Sequence, residues 1–222
     1  MTAHAGGASS FSLLPAVNAA DRKAMRREMR AMRQAVPAPV RRQAASRVAR
    51  SACRQGWLRP GRHIGLYAPM PEEFDCTALT SRALSAGCSV FLPRILHWGQ
   101  RRMEFARLTS DSMRLNRHGL AEPESECLRL VSARRLDVVF VPLVAVDPSG
   151  TRLGMGAGFY DRYFAFRQSR PGWRRPLLIG LAYDFQRVRR IERASWDVPL
   201  DAVLTEIGIF RTGRNTRWRD LR

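Results

Sequence analysis

Residues 137–164 read DVVFVPLVAVDPSGTRLGMGAGFYDRYF, an apolar run, a turn and a glycine-rich loop in succession. The run 138–141 has the length and the β-branched content of a buried strand. Gly154, Gly156 and Gly158 follow at alternate positions, and the residues after them predict the start of a helix. A strand, a glycine loop and a helix N-terminus together bring backbone N–H groups close to phosphate oxygens. The stretch therefore predicts an anion-binding loop.

Charged side chains flank this loop. Arg152 precedes the glycines and Arg162 follows them, so two fixed positive charges lie beside the predicted anion site. Asp161 is the acid best placed to reach a metal ion carried by a phosphate. The spacing G-x-G-x-G differs from the dinucleotide and P-loop patterns, and a glycine-rich turn is structural about as often as it is functional. The loop alone leaves phosphate binding and a purely structural turn open.

The composition indicates a globular protein. At 222 residues and 45% hydrophobic content, the chain can bury a substantial core. No apolar run approaches the roughly 18 residues that a membrane span needs, and residues 1–20 lack the features of a signal peptide. We expect residues 1–20 to be a flexible extension and the basic residues 211–222 to be a disordered tail. Four scattered cysteines without a C-x-x-C pair predict reduced thiols and a cytoplasmic protein.

The net charge of +19 is the most unusual global property. It suits polyanionic partners, so an arginine-rich nucleic-acid-binding protein is the alternative to an enzyme. Against that alternative, the charge is spread along the chain, and no RNP-type or zinc-finger pattern occurs. All but one of the 38 basic residues are arginine, which a biased genome would also produce. Lys23 is the sole lysine, and a phosphate site can require a compact ammonium group.

Predicted strands and helices alternate through the chain. Apolar runs predict strands at 63–68, 89–94, 102–106, 138–141 and 177–182. Other segments predict helices at 21–36, 39–55, 75–84 and from 159 onward. This alternation indicates an α/β fold in which a mostly parallel central sheet is flanked by helices, a Rossmann-like three-layer arrangement. No internal repeat or linker interrupts it, so we predict a single domain over residues 21–210.

The first predicted helix is amphipathic. Its apolar side chains recur at helical spacing: Met25, Met29, Met32 and Val36. Lys23, Arg27 and Arg30 form a separate basic stripe. Such a stripe is more often a solvated face than a binding site.

Residues 141–163, VPLVAVDPSGTRLGMGAGFYDRY, resemble the pattern vPgvafD..G.RlGyGgGyYDr of the 5-formyltetrahydrofolate cyclo-ligase family, also called 5,10-methenyltetrahydrofolate synthetase. The match is long and has no gaps, and further family motifs keep their order between about residues 21 and 206. Ala157 stands where the family usually has glycine, and Phe159 where it usually has tyrosine. The resemblance implies an ATP- and magnesium-dependent enzyme. It would convert 5-formyltetrahydrofolate, with or without a polyglutamate tail, to 5,10-methenyltetrahydrofolate, releasing ADP and phosphate.

The resemblance also implies roles for individual residues. Lys23, Arg152 and Tyr160 would be catalytic, and Tyr160 would also contact the folate together with Ala68 and Glu73. Two aspartates would hold magnesium: Asp161 and Asp197. The nucleotide would be bound by Lys23, Arg27, Arg152, Leu153, Gly154, Met155, Gly156, Ala157, Gly158, Phe159 and Tyr160. We expect a monomer without nucleic-acid or membrane partners. A phosphosugar-binding relative of similar shape is a further alternative, and it would be indifferent to folate.

Overall fold

The computed structural model describes residues 16–109, 113–115, 121–123, 130–169 and 175–213. Its helices are α1 (Arg22–Ala35), α2 (Ala38–Arg54), α3 (Thr77–Ser85) and α4 (Phe159–Phe164). Its strands are β1 (His63–Gly65), β2 (Ser89–His97), β3 (Arg102–Arg107), β4 (Met113–Leu115), β5 (Ala121–Pro123), β6 (Leu130–Val131), β7 (Val138–Pro142), β8 (Ala145–Val146), β9 (Arg152–Leu153), β10 (Leu177–Leu181), β11 (Ala202–Leu204) and β12 (Ile209–Arg211). The helices and strands predicted from the sequence are therefore present, although β1 is shorter and β2 longer than expected.

Eight strands form one sheet in the order β12-β11-β10-β7-β1-β2-β3-β6. The five central strands, β11 to β2 in that order, are parallel, and antiparallel strands extend both edges. From β1 the chain first moves outward to β2 and then returns to the opposite side of β1 to form β7. This reversal is the topological switch point of a doubly wound sheet, where a crevice opens at the carboxyl ends of the strands. The predicted mostly parallel α/β fold is confirmed.

Helices cover both faces of the sheet. Along β7, the side chains of Val138 and Phe140 join the core that packs beneath α2 and α3. Val139 and Val141 point to the opposite face and join the core beneath α4. Because alternate side chains on a strand point to opposite faces, a strand that is apolar throughout must be covered on both sides. The sheet and its two helical layers form the three-layer arrangement predicted from the sequence.

Helix α1 packs beside the sheet rather than in either layer. Its buried methionines, Met25 and Met29, pack on Val144 and Leu153 of the small β8–β9 hairpin. Met32 and Val36, which the helical pattern placed on the same face, are half-buried. Arg33 is buried in their place, with 2% of its surface exposed. The helix is thereby held against the segment that leads into the glycine loop.

The folded region begins earlier than the sequence indicated. Val17 is buried, and it pairs with Ile191 as an isolated β-bridge, although residues 16–20 were expected to belong to a flexible extension. The predictions for residues 1–15, for Cys127 and for residues 214–222 fall outside the described residues. Within the described part, no helix combines the length and the apolar character that crossing a membrane demands.

Candidate active site

A cavity of about 920 Å³, here called the central cavity, opens at the carboxyl ends of β1 and β7. Its walls come from the loop after β1, the glycine loop 154–158, the N-terminal half of α1 and the hairpin between β2 and β3. It therefore occupies the switch point of the sheet, the place where doubly wound folds bind their ligands. All the site residues predicted from the sequence line this cavity except Lys23 and Arg27.

Left-handed backbone at two glycines shapes the loop. Gly156 has a φ of 108° and Gly158 a φ of 71°, values that residues with a side chain rarely adopt. The backbone of Ala157 lies outside that region, so alanine is accommodated where the family pattern has glycine. Gly154 lines the cavity, and a Cβ atom on it would meet no atom within 4 Å. The loop therefore leaves space on this side for a ligand.

Two arginines of α1 face the central cavity. Arg22 and Arg26 line it, and Arg26 Nε donates a hydrogen bond of 2.8 Å to the carbonyl oxygen of Gly154. Burial and the charge of Arg22 lower the pKa of Arg26, although a guanidinium remains a cation at neutral pH. Lys23 and Arg27 are exposed. Lys23 and Arg27 each follow a cavity-lining arginine by one residue. Because each residue turns a helix by about 100°, their side chains point away from the glycine loop.

Arg152 and two aspartates form the wall next to the glycine loop. Arg152 Nη2 contacts Asp161 Oδ1 at 2.7 Å, and Arg152 Nη1 donates to the carbonyl oxygen of Val198 at 2.6 Å. The backbone N–H of Val198 donates to the same Asp161 oxygen at 3.0 Å, which brings the preceding residue, Asp197, to the same wall. One Asp197 oxygen accepts a 2.9 Å hydrogen bond from the N–H of Ala194. These contacts engage one oxygen of each carboxylate.

Glu73 and two tyrosines form a further part of the cavity wall. Glu73 is 9% exposed, and its Oε2 accepts a 3.0 Å hydrogen bond from the N–H of Met70. Burial raises the pKa of this carboxyl. The Tyr160 hydroxyl is buried and has no hydrogen-bond partner among the described residues, and burial raises its pKa. Tyr67 donates instead to the carbonyl oxygen of Phe74 at 2.8 Å, and Ala68 lines the cavity beside it.

The β2–β3 hairpin supplies Trp98, which the sequence predicts to be core or pocket wall, and Arg101, which the sequence did not indicate. Trp98 packs against Phe159 with 5.1 Å between ring centroids. The Arg101 guanidinium would come within 3.7 Å of a Cβ atom placed on Gly158. Arg162 Nη1 donates to the carbonyl oxygen of Gln100 at 3.1 Å, which joins α4 to this hairpin. The sequence contains no motif here, because the contact depends on how the hairpin folds over the loop.

The charges of the lining are unequal. Among the residues that the structure describes, five arginines line the central cavity, against three carboxylates. The arginines are Arg22, Arg26, Arg101, Arg152 and Arg162, and the carboxylates are Glu73, Asp161 and Asp197. Arginines in a concave, partly dehydrated site attract anions, and their planar guanidinium groups match phosphate oxygens. The cavity is thus suited to a ligand that carries several negative charges.

The residues of the wall also fit a magnesium ion carried by phosphate. Within the described residues, no group of three or more histidines, cysteines or acids is arranged to hold a metal. Magnesium, however, usually binds through one or two carboxylates together with substrate phosphates, and it keeps several water ligands. Asp161 and Asp197 lie beside the glycine loop and supply carboxylates of this kind.

Comparisons with known proteins agree with this site. The profile of the 5-formyltetrahydrofolate cyclo-ligase family matches residues 18–206. A 5-formyltetrahydrofolate cyclo-ligase from Haemophilus influenzae is 32% identical over 189 residues, which cover 85% of this chain and 99% of that protein. The solution structure of Aquifex aeolicus 5,10-methenyltetrahydrofolate synthetase superposes with a TM-score of 0.72 at 27% identity, covering 89% of this chain and 95% of that one.

A second solved structure supports the fold alone. The 5,10-methenyltetrahydrofolate synthetase from Mycoplasma pneumoniae superposes with a TM-score of 0.65 at 20% identity, covering 84% of this chain and 99% of that one. The matched region contains the glycine loop, α1 and both aspartates of the wall. On the family match and on identity across most of its length, the chain is a member of the 5-formyltetrahydrofolate cyclo-ligase family of enzymes.

Proposed function

We propose that this enzyme uses ATP and magnesium to convert 5-formyltetrahydrofolate to 5,10-methenyltetrahydrofolate, with release of ADP and phosphate. The proposal rests on the residues that line the central cavity of this chain, which belongs to the family. An arginine-lined glycine loop, suited to a triphosphate, and a buried carboxylate, suited to a pterin, face the same space. A reaction that joins these two substrates needs both subsites within one cavity.

The triphosphate would lie on the glycine loop. Arg26 is already hydrogen-bonded to Gly154, and Arg22 lies one helical turn before it on α1. We therefore assign to Arg22 and Arg26 the contacts that the family resemblance suggested for Lys23 and Arg27. Arg152 is held by Asp161 and by the carbonyl oxygen of Val198, so its charge is oriented before the nucleotide arrives. Such prior orientation is a principal source of transition-state stabilisation in phosphoryl transfer.

Asp161 and Asp197 would hold the magnesium ion. When bound, the ion neutralises charge that develops between the β- and γ-phosphates. Asp161 would also continue to orient Arg152, since that contact uses Oδ1. The wall would in this way combine a carboxylate for the metal with a guanidinium for the phosphate.

The pterin would bind at the Glu73 side of the cavity. A carboxylate accepts hydrogen bonds from the N–H groups of a pterin ring, and Glu73 is fixed by its own bond from the Met70 N–H. The Tyr160 hydroxyl remains protonated, because burial raises its pKa. It is therefore a hydrogen-bond donor without a partner among the described residues, in a wall shared by both subsites. We infer that it donates to the oxygen of the formyl group.

The chemistry requires positioning more than a protein nucleophile. The formyl oxygen attacks the γ-phosphate of ATP, ADP departs, and the formyl carbon then carries a phosphate in place of a poor leaving group. The N10 amine attacks this carbon and loses its proton, the five-membered ring closes, and phosphate leaves. The oxygen of the formyl group ends in the phosphate. Arg152 and the loop amides stabilise the transferred phosphoryl group, and Tyr160 and Glu73 hold the acceptor in place.

The direct test is a spectrophotometric assay of the purified chain with 5-formyltetrahydrofolate, ATP and magnesium. We expect the absorbance of the methenyl product to rise with one ADP released per product, and to stop rising when ATP is omitted or a chelator is added. Product formation without nucleotide consumption would refute the mechanism. Salt-sensitive binding of RNA with no product in the complete mixture would favour a nucleic-acid-binding protein instead.

We further propose that the enzyme is a cytoplasmic monomer that also accepts polyglutamylated substrate. Cys53, Cys76 and Cys88 are free thiols, which is typical of proteins in a reducing compartment. Sedimentation of the purified chain tests the oligomeric state. Comparing KM for mono- and polyglutamylated substrate tests the preference, because the arginine-rich lining predicts a lower KM for the longer tail.

A further inference from the structure

Arg33 is a charged residue in an unexpected place. It continues the buried face of α1 after Met25 and Met29, where the helical pattern would accommodate a third apolar side chain. Its Nη1 donates to the carbonyl oxygen of Leu143 at 3.2 Å, just beyond the end of β7. Its Nε and Nη2 atoms are buried and have no hydrogen-bond partner among the described residues. Burying a guanidinium costs several kcal/mol unless a nearby negative charge compensates for it.

Two carboxylates lie on the loop beside this part of α1, Glu72 and Glu73, and their negative charges raise the pKa of Arg33, which burial lowers. Glu72 already has a partner, since Arg30 Nη2 lies 2.5 Å from its Oε1. Among the described residues, Glu73 is in no direct ion pair, and its hydrogen bond comes from the neutral N–H of Met70. Glu73 lines the central cavity, and the positive charge of Arg33 lowers the pKa of its carboxyl group, which burial raises.

The other ionisable groups around Glu73 cannot replace Arg33. Tyr67 lies on the preceding loop, Cys76 at the start of α3 and Tyr160 on α4, and burial raises the pKa of each of them. All three are therefore neutral at physiological pH. Glu72 has the same charge as Glu73 and raises its pKa.

A second arginine fixes the backbone around this pair. Arg41 of α2 donates from Nε to the carbonyl oxygen of Val36 at 2.9 Å and from Nη1 to that of Pro71 at 2.6 Å. It also donates to the carbonyl oxygen of Arg33. Arg41 thus ties the end of α1 to the loop that presents Glu73.

We propose that Arg33 is a positioning residue: its buried guanidinium keeps the Glu73 carboxylate in the charged form that binds the pterin. This inference rests on the proposed function, and it extends that function to a residue outside the cavity lining. Helix α1 would then contribute to both subsites of the cavity. Arg26 contacts the nucleotide loop, and Arg33, seven residues later and about 10 Å further along the axis, supports the pterin subsite.

The test is the pH dependence of 5-formyltetrahydrofolate binding, measured by calorimetry without nucleotide so that no turnover occurs. A carboxylate whose pKa is raised by burial loses its charge as the pH falls through that pKa. Removing the positive charge in Arg33→Met raises the pKa of Glu73 further. Since an opposite charge favours the ionised form of a carboxyl group, we expect binding of 5-formyltetrahydrofolate to weaken at a higher pH in Arg33→Met than in the parent.

Three variants separate this role from a general loss of packing. Arg50→Met removes an exposed positive charge from α2 and is expected to leave the pH dependence unchanged. Arg33→Lys keeps the charge and loses the fork geometry, so it should retain the parent's pH dependence. In a Glu73→Gln background, Arg33→Met should have no further effect on the pH dependence, because the titrating group is gone. Arg33→Gln replaces Arg33→Met if the latter does not fold.

The proposal is overturned if the pH dependence of an Arg33 variant without the charge coincides with that of the parent. It is equally overturned if Arg50→Met shifts the pH dependence as far. Failure of the proposed function looks different: the parent would not bind 5-formyltetrahydrofolate, or Glu73→Gln would bind it as tightly as the parent. Thermal unfolding of each variant, followed by circular dichroism, shows that the comparison is made between folded proteins.

Discussion

The orientation of α1 about its own axis gives the sharpest prediction. It places Arg22 and Arg26 at the nucleotide site and leaves Lys23 and Arg27 outside it. Arg26 is half-buried, lines the central cavity and donates to Gly154, whereas Lys23 is exposed on the same helix. Replacing Arg26 by alanine removes one charged donor from the triphosphate site. A hydrogen bond that involves a charged group contributes about 1.5–3 kcal/mol. Since each 1.4 kcal/mol corresponds to a factor of ten, we expect KM for ATP to rise roughly 10- to 150-fold in Arg26→Ala.

Lys23→Ala is the matched control. An exposed substitution usually changes free energies by less than 0.5 kcal/mol, so we expect KM for ATP to change by no more than about twofold. Arg26→Lys keeps the charge but loses the planar fork, and an intermediate KM is expected. KM for ATP is obtained from initial rates of methenyl product formation at varied ATP and saturating folate, for the parent and the three variants. A large rise of KM for ATP in Lys23→Ala, with little change of KM in Arg26→Ala, would show that the other face of α1 meets the nucleotide.

Three further predictions concern the cavity walls. Asp161→Asn should abolish magnesium-dependent turnover in a folded protein, as judged by activity across a magnesium titration and by circular dichroism; full activity would remove the metal assignment. Tyr160→Phe should lower kcat/KM for the folate about 2- to 13-fold, the equivalent of one neutral hydrogen bond. Its free energy of urea unfolding should equal or exceed the parent's, because the lost hydroxyl has no partner among the described residues. Gly156→Ala should lower the free energy of unfolding by about 1–3 kcal/mol, since its φ of 108° is strained for alanine. Gly154→Ala should leave that free energy close to the parent's, and an equal loss in both would contradict the argument from backbone geometry.

Much of the fold could be predicted from local patterns. The apolar run at Val138–Pro142 and the second at Leu177–Leu181 became adjacent parallel strands at the centre of the sheet. Edge strands such as β6 and β12 were not predicted, because they are short and their pairing partners are distant in sequence. A strand of two or three residues has no periodicity of its own, so only its neighbour in the sheet defines it.

The residues of the candidate site also fall into two groups, those that the sequence predicted and those that it did not. The glycine loop, Asp161 and Glu73 follow strands or begin helices in motifs that can be read along the chain, and the structure brings them to one cavity. The arginines of α1 could not be assigned from sequence. Basic residues occur on several sides of that helix, and packing of Met25 and Met29 decides which side meets the loop.

The sequence by itself determined the α/β class, the family and the glycine loop, because each depends on residues that are close together in the chain. Only the tertiary structure decided that Arg22 and Arg26 face the cavity, that Arg101 approaches it from a hairpin, and that Arg33 is buried. The physical reason is that a local pattern defines an element and its amphipathic faces. The direction in which each face points is decided by burial of apolar surface contributed by the rest of the chain.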